Sequence, residues 1–575
     1  MAGPSVAQGL VDRLAALGVR RIYGITGDSL NAITNAVRGH PELAWIHVRH
    51  EEAAAFAAGA EAHLTGRLAV CAGSCGPGNL HLINGLYDAQ RSRVPVLAIA
   101  AQIPSPEIGS EYFQETHPER IFRECSHFVG VIGESRQFPR VLDTAIETAV
   151  ARSGVSVVVI PGDVAWRPVP DPAPPLPPLP PAATLLPSEE TLGPLVSALN
   201  TARRVTILAG AGCAGAHDEL IALAGKLQAP IVHTMRGKEF VEFANPYDVG
   251  MTGLLGFASG YYAMMNSDLL LILGADFPYR AFYPTGSTIV QIDRRGEQIG
   301  RRAPVQLGVV GDVRPTLAAI LPRLAAHRDD QHLATSLQHY AKARQGLDDL
   351  ATGKAGETPV HPQYVVKVLD ELAAPDAIFT CDVGEPTVWA ARYLHLNGER
   401  RLLGSFVHGS MANALPQALG AQATLPGRQV ISLSGDGGLS MLLGELASIA
   451  QAKLPVKVVV FDNGALGFVE LEMKAAGLLP FGTDLVNPDF AAVAQAAGWL
   501  GVRVETADQV PGALAAALAH PGPALVSVRT SRSELVMPPS ITWDEFSGFS
   551  LWMIKAVLNG RGDAIIDLAK TTLFR

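Results

Sequence analysis

The chain has 575 residues, of which 48% are hydrophobic and 17% are charged, and its formal net charge is -9. It is too long for one hydrophobic core, so we expect three or four domains. The acidic balance, without any cluster of Lys and Arg in the sequence, argues against a nucleic-acid partner and favours a small molecule. The N-terminal residues lack a secretory pattern, and the apolar runs fall short of the ~20 residues that span a bilayer, so we expect a cytoplasmic protein without a transmembrane helix.

Five cysteines are scattered along the chain, at Cys71, Cys75, Cys125, Cys213 and Cys381. An odd, dispersed set suits a reducing compartment better than a disulfide framework. Cys71 and Cys75 could form half of a metal site, but the sequence holds no Cys/His pair at a matching spacing. Small buried thiols are the simpler interpretation.

Short apolar runs alternate with helical patterns in three successive parts of the chain. They begin near residues 21, 68, 95 and 155, then near 204, 229, 268 and 287, and finally near 377, 429, 455 and 523. Continuous apolar strands separated by helices predict parallel sheets covered on both faces. We therefore predict an α/β protein with three doubly wound parallel-sheet domains.

Two stretches mark the domain boundaries. Ten prolines lie between Pro168 and Pro187 and predict a stiff linker. A polar helix-like segment near residues 329–362 marks the second boundary, and the alternation ends near Thr530. The predicted domains are residues 1–182, with the linker from residue 168, then 183–335 and 336–530, followed by a tail at 531–575.

One carboxylate follows the apolar run that starts at Val430. Asp436 lies between Gly435 and Gly437, and Asn463 follows the next predicted strand. A βαβ crossover brings both side chains to the carboxyl edge of a parallel sheet, where ligands bind. A carboxylate, an amide oxygen and a nearby backbone carbonyl form an incomplete oxygen set, which Mg²⁺ completes with phosphate and water. A tight strand-to-helix turn would also place glycines here, but the following Asn463 favours a magnesium clamp on a diphosphate.

This motif, Gly-Asp-Gly and then Asn after fewer than thirty residues, resembles that of the thiamine-diphosphate enzymes. The resemblance implies that Mg²⁺ is bound by Asp436, Asn463 and the carbonyl of Ala465, and that Gly437 and Gly438 adjoin the diphosphate. Asp462 is expected to point away from the metal.

Residues 404–421 resemble the segment that grips the pyrimidine of the cofactor in this family. The resemblance implies contacts from Gly409, Ser410 and Met411, with Met411 as the apolar wedge that bends thiamine diphosphate. A methionine that merely fills the core would look the same in sequence.

Glu51 and Glu52 open an alanine-rich helical stretch. Acids in a first turn are favoured by the helix dipole alone, so this ordinary interpretation stays open. A carboxyl in an apolar pocket is also what thiamine activation requires against the aminopyrimidine. His50-Glu51 before an Ala/Gly-rich helix resembles the family signature. This implies that Glu51 serves the site of a second subunit, in a dimer or tetramer.

The central part contains Gly210, Gly212 and Gly215 after a strand, but the next strand does not end in the acid of a nicotinamide-binding fingerprint. Across nearly its whole length the chain resembles the flavin-dependent pyruvate oxidases, most closely the bacterial pyruvate:quinone oxidoreductases. The resemblance implies that FAD is held by Thr252, Gly253, Leu254, Leu255, Ala275, Asp276, Phe277, Pro278, Tyr279 and Asp293. It also implies a pyruvate pocket lined by Phe113, Gln114, Phe468 and Glu472.

The implied reaction is the oxidative decarboxylation of pyruvate to acetate, with FAD as the first electron acceptor and a membrane quinone as the second. Residues 531–575 would bring the enzyme to that quinone, because Ile565, Leu568, Ala569 and Leu573 share one face of a predicted helix. Such a face predicts adsorption to a phospholipid surface by apolar area. The resemblance implies a tail that covers the active site at rest and moves to the inner face of the cell membrane. Packing of the tail on its own subunit is the alternative interpretation.

Three other functions fit parts of the pattern. Acetolactate synthase has the same architecture, but it typically has His-Glu-Gln where this chain has His50-Glu51-Glu52, and it lacks such a tail. A phosphate-dependent, oxygen-using pyruvate oxidase is the second rival. A non-catalytic, membrane-associated scaffold is the third, and the presence of Glu51, Asp436 and Asn463 counts against it.

Overall fold

Each third of the chain forms one parallel sheet of six strands, which confirms the predicted fold class. The computed structural model describes residues 3–169, 183–532, 534 and 551. The strands of the first sheet are β1 (Arg21–Gly24), β2 (Ala44–His47), β3 (Ala69–Gly73), β4 (Val96–Gln102), β5 (Phe128–Val131) and β6 (Val155–Pro161). Those of the second are β7 (Val205–Ala209), β8 (Ile231–His233), β9 (Asp248–Met251), β10 (Leu269–Leu273), β11 (Thr288–Asp293) and β12 (Leu307–Val310). Those of the third are β13 (Ile378–Cys381), β14 (Arg401–Gly404), β15 (Val430–Gly435), β16 (Lys457–Asp462), β17 (Leu500–Val504) and β18 (Ala524–Arg529).

The twelve apolar runs of the sequence are the four inner strands of each sheet. The strand orders are β2-β1-β3-β4-β6-β5, β12-β11-β10-β7-β8-β9 and β14-β13-β15-β16-β18-β17, so the first and third sheets share one topology. All six strands that the sequence analysis missed lie at sheet edges. Edge strands are covered less completely, so they need no continuous apolar run. The exception is β9, which is buried but contains Asp248 and Gly250.

Helices cover both faces of each sheet. The first domain contains α1 (Val6–Ala16), α2 (Asn31–Gly39), α3 (Glu51–Thr65), α4 (Pro77–Ser92), α5 (Pro118–Ile121), α6 (Phe138–Arg152) and α7 (Gly162–Trp166). The second contains α8 (Glu189–Thr201), α9 (His217–Leu227), α10 (Lys238–Val241), α11 (Ala258–Met265) and α12 (Val313–Ile320). The remaining helices are α13 (Gln331–Leu350), α14 (Pro362–Leu372), α15 (Glu385–Tyr393), α16 (Ala414–Thr424), α17 (Asp436–Met441), α18 (Glu445–Gln451), α19 (Gly467–Ala475), α20 (Phe490–Ala496) and α21 (Val510–Ala519).

Two details differ from the sequence-based expectation. The helix that the βαβ crossover predicts between β15 and β16 is divided into two, because α17 already begins at Asp436 and the chain leaves helical geometry at Leu442 before α18 starts. The domain boundary predicted after residue 335 falls inside α13. Leu337 and Tyr340 of that helix pack against the core of the central domain.

The first and third domains meet through helices packed at very short range. A Cβ atom on Gly420 of α16 would lie 2.3 Å from the carbonyl oxygen of Ala57 in α3. Within the first domain, a Cβ atom on Gly85 of α4 would lie 2.6 Å from the Cβ atom of Ala55 in α3. Only glycine permits such crossings. They fix α3, and with it Glu51 at its first residue, between two neighbours.

Most of the predicted linker, residues 170–182, and the amphipathic face predicted for residues 565–573 lie outside the described residues. Within the described ranges, no helix is both long and apolar enough to cross a membrane.

Candidate functional site

The predicted metal ligands lie at the carboxyl ends of β15 and β16, which are parallel neighbours as the crossover rule predicted. Asp436 is buried, and its Oδ2 accepts the backbone N–H of Gly464 at 2.8 Å. Oδ1 of Asn463 accepts the N–H of Ala465 at 2.9 Å. Burial raises the pKa of the Asp436 carboxyl, and nearby Asp462 adds to this, so a cation here would relieve an unfavourable charge.

Asp462, the last residue of β16, lies near Asp436. The amide nitrogen of Asn487 lies 2.7 Å from Asp436 Oδ2 and 2.7 Å from Asp462 Oδ1. Asn487 thus bridges the two carboxylates. The sequence analysis missed this residue, because it lies in an irregular segment well beyond the motif.

Residues 409–411 lie against the predicted metal site. The Gly-Asp-Gly turn at residues 435–437 and the segment 463–466 after β16 are together called the metal loop. Gly409 adopts φ +80°, and a Cβ atom there would meet no atom within 4 Å. The Cε atom of Met411 lies 3.3 Å from the position of a Cβ atom on Gly437. The Ser410 hydroxyl donates to the Met411 carbonyl oxygen at 2.9 Å and accepts from Asn84 of α4 at 2.8 Å. These contacts bring Met411 beside the Gly-Asp-Gly turn.

Asp382, at the end of β13, anchors the same loops and was not predicted. Its fully buried carboxylate is close to the backbone N–H groups of Val383, Ala412 and Gly435, and desolvation raises its pKa to about 7. A Cβ atom on Gly438 would lie 1.8 Å from Asp382 Oδ2, so that position requires glycine. Asp382 therefore ties three loops of the candidate site together.

Glu385, the first residue of α15, is a second acid that the sequence analysis missed. Its Oε2 accepts from the amide nitrogen of Asn463 at 3.1 Å. Burial raises the pKa of Glu385 to about 8, with Asp436, Glu534 and Glu470 adding to the effect and Asn463 opposing it. A search for carboxylates at the carboxyl ends of all predicted strands would have flagged Asp382 and drawn attention to Glu385 beside it.

Glu51 is 5% exposed and forms the first turn of α3. Its Oε2 lies 2.9 Å from Nδ1 of His81, whose ring stacks on His50 at 4.3 Å between centroids. A Cβ atom on Gly78 would lie 2.9 Å from Glu51 Oε1. In the described part of this chain, no hydrogen bond joins Glu51 to the metal loop.

The predicted pyruvate residues belong to two elements. Phe113 is 79% exposed, and Gln114 adopts φ +64° with its Cβ atom 2.8 Å from the position of a Cβ atom on Gly76. Phe468 and Glu472 lie on α19, which follows the metal loop. Phe113 is an exposed aromatic side chain on the first domain.

The predicted flavin segments follow β9, β10 and β11. Thr252 is 4% exposed, and its hydroxyl has no hydrogen-bond partner among the described residues. Asp276 lies between Arg93, at 3.0 Å, and Arg302, at 3.1 Å. The carboxylate of Asp293 accepts the N–H of Arg295 at 2.9 Å. An orphan hydroxyl in a buried polar cleft fits a bound polar group such as a dinucleotide.

Three arginines gather in this cleft between the first and central domains. Burial lowers the pKa of Arg93, and Arg295 lowers it further. Burial and Arg93 likewise lower the pKa of Arg236, whose guanidinium donates to the carbonyl oxygen of Ser92 at 2.9 Å. Guanidinium groups that disfavour each other's charge form a place where an anion is stabilised. No local sequence pattern predicts this cluster, because its members come from three distant segments.

The first residues of the tail form ion pairs and hydrogen bonds with the third domain. The guanidinium of Arg532 lies 2.7 Å from Glu470 of that helix and 2.7 Å from Asp484. Gln363 donates to Glu534 at 3.1 Å, and His361 also contacts it. These contacts link residue 532 to the helix that carries Phe468 and Glu472, and residue 534 to the start of α14.

Three family models of thiamine pyrophosphate enzymes match the chain. The N-terminal thiamine pyrophosphate binding domain matches residues 4–121, the central domain residues 192–320, and the C-terminal thiamine pyrophosphate binding domain residues 382–528.

Curated relatives match along most of the chain. A putative thiamine pyrophosphate-containing protein of Bacillus subtilis is 36% identical over 556 residues, which is 96% of each chain. Pyruvate oxidase of Lactiplantibacillus plantarum is 33% identical over 523 residues, 89% of this chain and 86% of that one. The acetolactate synthase large subunit of Parasynechococcus marenigrum is 32% identical over 574 residues, 93% of this chain and 89% of that one. The chain therefore belongs to the thiamine pyrophosphate-dependent enzymes.

Proposed function

We propose that this chain oxidatively decarboxylates pyruvate to acetate, with FAD and then a membrane quinone as electron acceptors. Pyruvate and water give acetate, CO₂, two protons and two electrons, and the quinone takes up two protons and two electrons to become the quinol. The proposal combines the family membership, the likeness to a pyruvate oxidase and the resemblance of the flavin segments.

The observation that carries the proposal is the arginine cleft. Arg93, Arg236 and Arg295 lie together beside the predicted flavin segments. Thr252, whose hydroxyl has no partner among the described residues, begins one of these segments directly after β9. A diphosphate that joins two nucleotides would add negative charge beside these arginines, two of which already pair with Asp276 and Asp293, and arginine forks match its oxygens. The cleft thus supports a dinucleotide in the central domain, as the oxidase function requires.

The chain's own residues supply binding and proton control. Asp436, Asn463 and Ala465 would hold Mg²⁺ on the diphosphate, and Gly409 with Met411 would position the pyrimidine. Thiamine diphosphate, when bound, supplies the carbon that attacks the keto group and stabilises the charge left by CO₂. Glu51, buried in the first turn of α3, would hold a proton at the pyrimidine nitrogen.

The resemblance to the thiamine-diphosphate enzymes supports a homo-oligomeric enzyme. Each site would combine the metal loop of one subunit with Glu51 and Phe113 of another. The large exposed ring of Phe113 would then be covered by the second subunit.

Replacing Arg236 by methionine should weaken FAD binding about 10- to 100-fold, the size expected for one charge-assisted bond. Flavin absorbance retained after ultrafiltration measures the loss. Arg120→Met, which removes a 74% exposed guanidinium of the first domain, is the control and should retain FAD. Equal retention by both variants would contradict the assignment of the cleft.

The tail is proposed to bring the enzyme to the inner face of the cell membrane. We expect chains cut after Thr530 and after Glu534 both to lose sedimentation with phospholipid vesicles while turning over pyruvate with a soluble dye. Only the cut after Thr530 removes the bonds of Arg532 and Glu534, so it should also lower the melting temperature. Unchanged sedimentation of either truncated protein would refute the tail's role.

Product analysis with labelled pyruvate tests the proposed reaction. The oxidase proposal expects acetate and CO₂ with a quinone as acceptor, independent of phosphate. Acetolactate as the main product would identify a carboligase. Acetyl phosphate formed only with phosphate and oxygen would identify the phosphate-dependent oxidase.

A further inference from the structure

Glu385 is a buried acid with no ion-pair partner among the described residues. It is 8% exposed, and it follows Gly384, whose φ of +116° turns the chain into α15. The nearby acid Glu470 is compensated by Lys474 and Arg532 at 2.8 and 2.7 Å. A buried, unpaired carboxylate is costly, so its place in the fold calls for a compensating interaction.

Both oxygens of this carboxylate face the metal loop. Oε2 accepts from the amide nitrogen of Asn463 at 3.1 Å. Oε1 lies against Gly467, where a Cβ atom would be only 2.1 Å away. Glu385 therefore touches the loop at Asn463 and again at the first residue of α19.

The contact between Glu385 and Asn463 fixes the orientation of the Asn463 side-chain amide. An asparagine amide can turn over, and its oxygen and nitrogen have opposite hydrogen-bonding roles. Here the N–H of Ala465 holds Oδ1 at 2.9 Å, while Glu385 holds Nδ2. An apolar side chain at position 385 would leave only one of these two constraints.

We propose that Glu385 is a positioning residue for magnesium: it holds the nitrogen of Asn463 so that the amide oxygen faces the cation. The nearby cation would in turn compensate the buried charge of Glu385. Outer groups that orient metal ligands commonly contribute 10- to 100-fold to metal affinity. The inference rests on the magnesium site of the proposed function, but not on its substrate or its flavin.

Manganese binding tests this role without any turnover. Full-length protein is stripped of metal and titrated with Mn²⁺ in excess thiamine diphosphate, and free Mn²⁺ is read by electron paramagnetic resonance. Glu385→Met should bind Mn²⁺ about 10- to 100-fold more weakly. Glu385→Gln keeps an acceptor oxygen for Asn463 and should stay within about fivefold of the parent protein. Glu399→Gln, a change at an exposed acid of the same domain, should leave binding unchanged.

A second set of variants, made in the Asn463→Asp protein, keeps the test decisive if Glu385→Met does not fold. In Asn463→Asp there is no amide to orient. Glu385→Ala should therefore weaken Mn²⁺ binding at least about fivefold less in that background than in the parent protein.

Two results would overturn the proposal. One is parental Mn²⁺ affinity in a folded Glu385→Met protein, and the other is the same effect of Glu385→Ala in both backgrounds. Because no pyruvate is present, a failure here is separate from a failure of the oxidase function, which product analysis decides.

Discussion

Replacing Glu51 by glutamine should lower kcat for pyruvate by about 10²- to 10⁴-fold, the usual contribution of a positioned acid or base. Glutamine has nearly the same shape, but it cannot share a proton with a ring nitrogen. Glu51 is 5% exposed, and its one side-chain hydrogen bond in the described structure is to His81. Thiamine diphosphate affinity should change little, because Mg²⁺ and the diphosphate are held by the other domain. Steady-state turnover with a soluble dye and calorimetric cofactor titration measure the two effects.

Glu52 provides a matched control for this change. It is the next residue of the same first turn, and its carboxylate accepts from Asn84 at 2.7 Å. Glu52→Gln keeps that acceptor and should retain most of the turnover. If Glu51→Gln kept more than a tenth of the parental kcat, or if both variants lost activity equally, Glu51 would be an ordinary first-turn acid.

Replacing Asp436 by asparagine should weaken the joint binding of Mg²⁺ and thiamine diphosphate by about 100-fold or more, exceeding the effect of most outer-shell changes. The variant loses a negative charge at the cation. Its amide nitrogen would also face N–H donors, since Asp436 now accepts from Gly437, Gly464 and Asn487. Titration of Mn²⁺ in the presence of thiamine diphosphate gives the affinity directly.

The Asp462→Asn variant distinguishes the role of Asp462 from that of Asp436, the acid of the motif. Asn487 donates a hydrogen bond to both Asp462 and Asp436, but Asp462 is the last residue of β16. We expect its variant to lose less affinity than Asp436→Asn by at least about tenfold. Equal losses would mean that both carboxylates bind the metal, and the predicted ligand set would then be wrong.

The inner strands and the metal motif could be predicted because they follow from local patterns. A strand buried on both faces must be apolar throughout, as in Val430–Gly435, whereas an edge strand such as Phe128–Val131 has no such requirement. The crossover rule then places Asp436 and Asn463 at one sheet edge without any knowledge of side-chain contacts.

The rest of the candidate site depends on contacts between distant segments. Asn487 bridges two acids from an irregular loop, and Arg236 meets Arg93 across a domain interface. Neither arrangement has a period or spacing that a sequence pattern could reveal. Glu385 looks like an ordinary first-turn acid, and its link to Asn463, 78 residues away, exists only in the folded chain.

The central claim is that electrons from pyruvate reach a flavin in the central domain, and an anaerobic visible spectrum tests it most directly. Purified full-length protein with Mg²⁺ and thiamine diphosphate is recorded before and after addition of pyruvate. We predict that the bound flavin bleaches and recovers its colour when a quinone is added. A flavin that stays yellow while pyruvate is consumed would contradict the oxidase proposal and favour a carboligase.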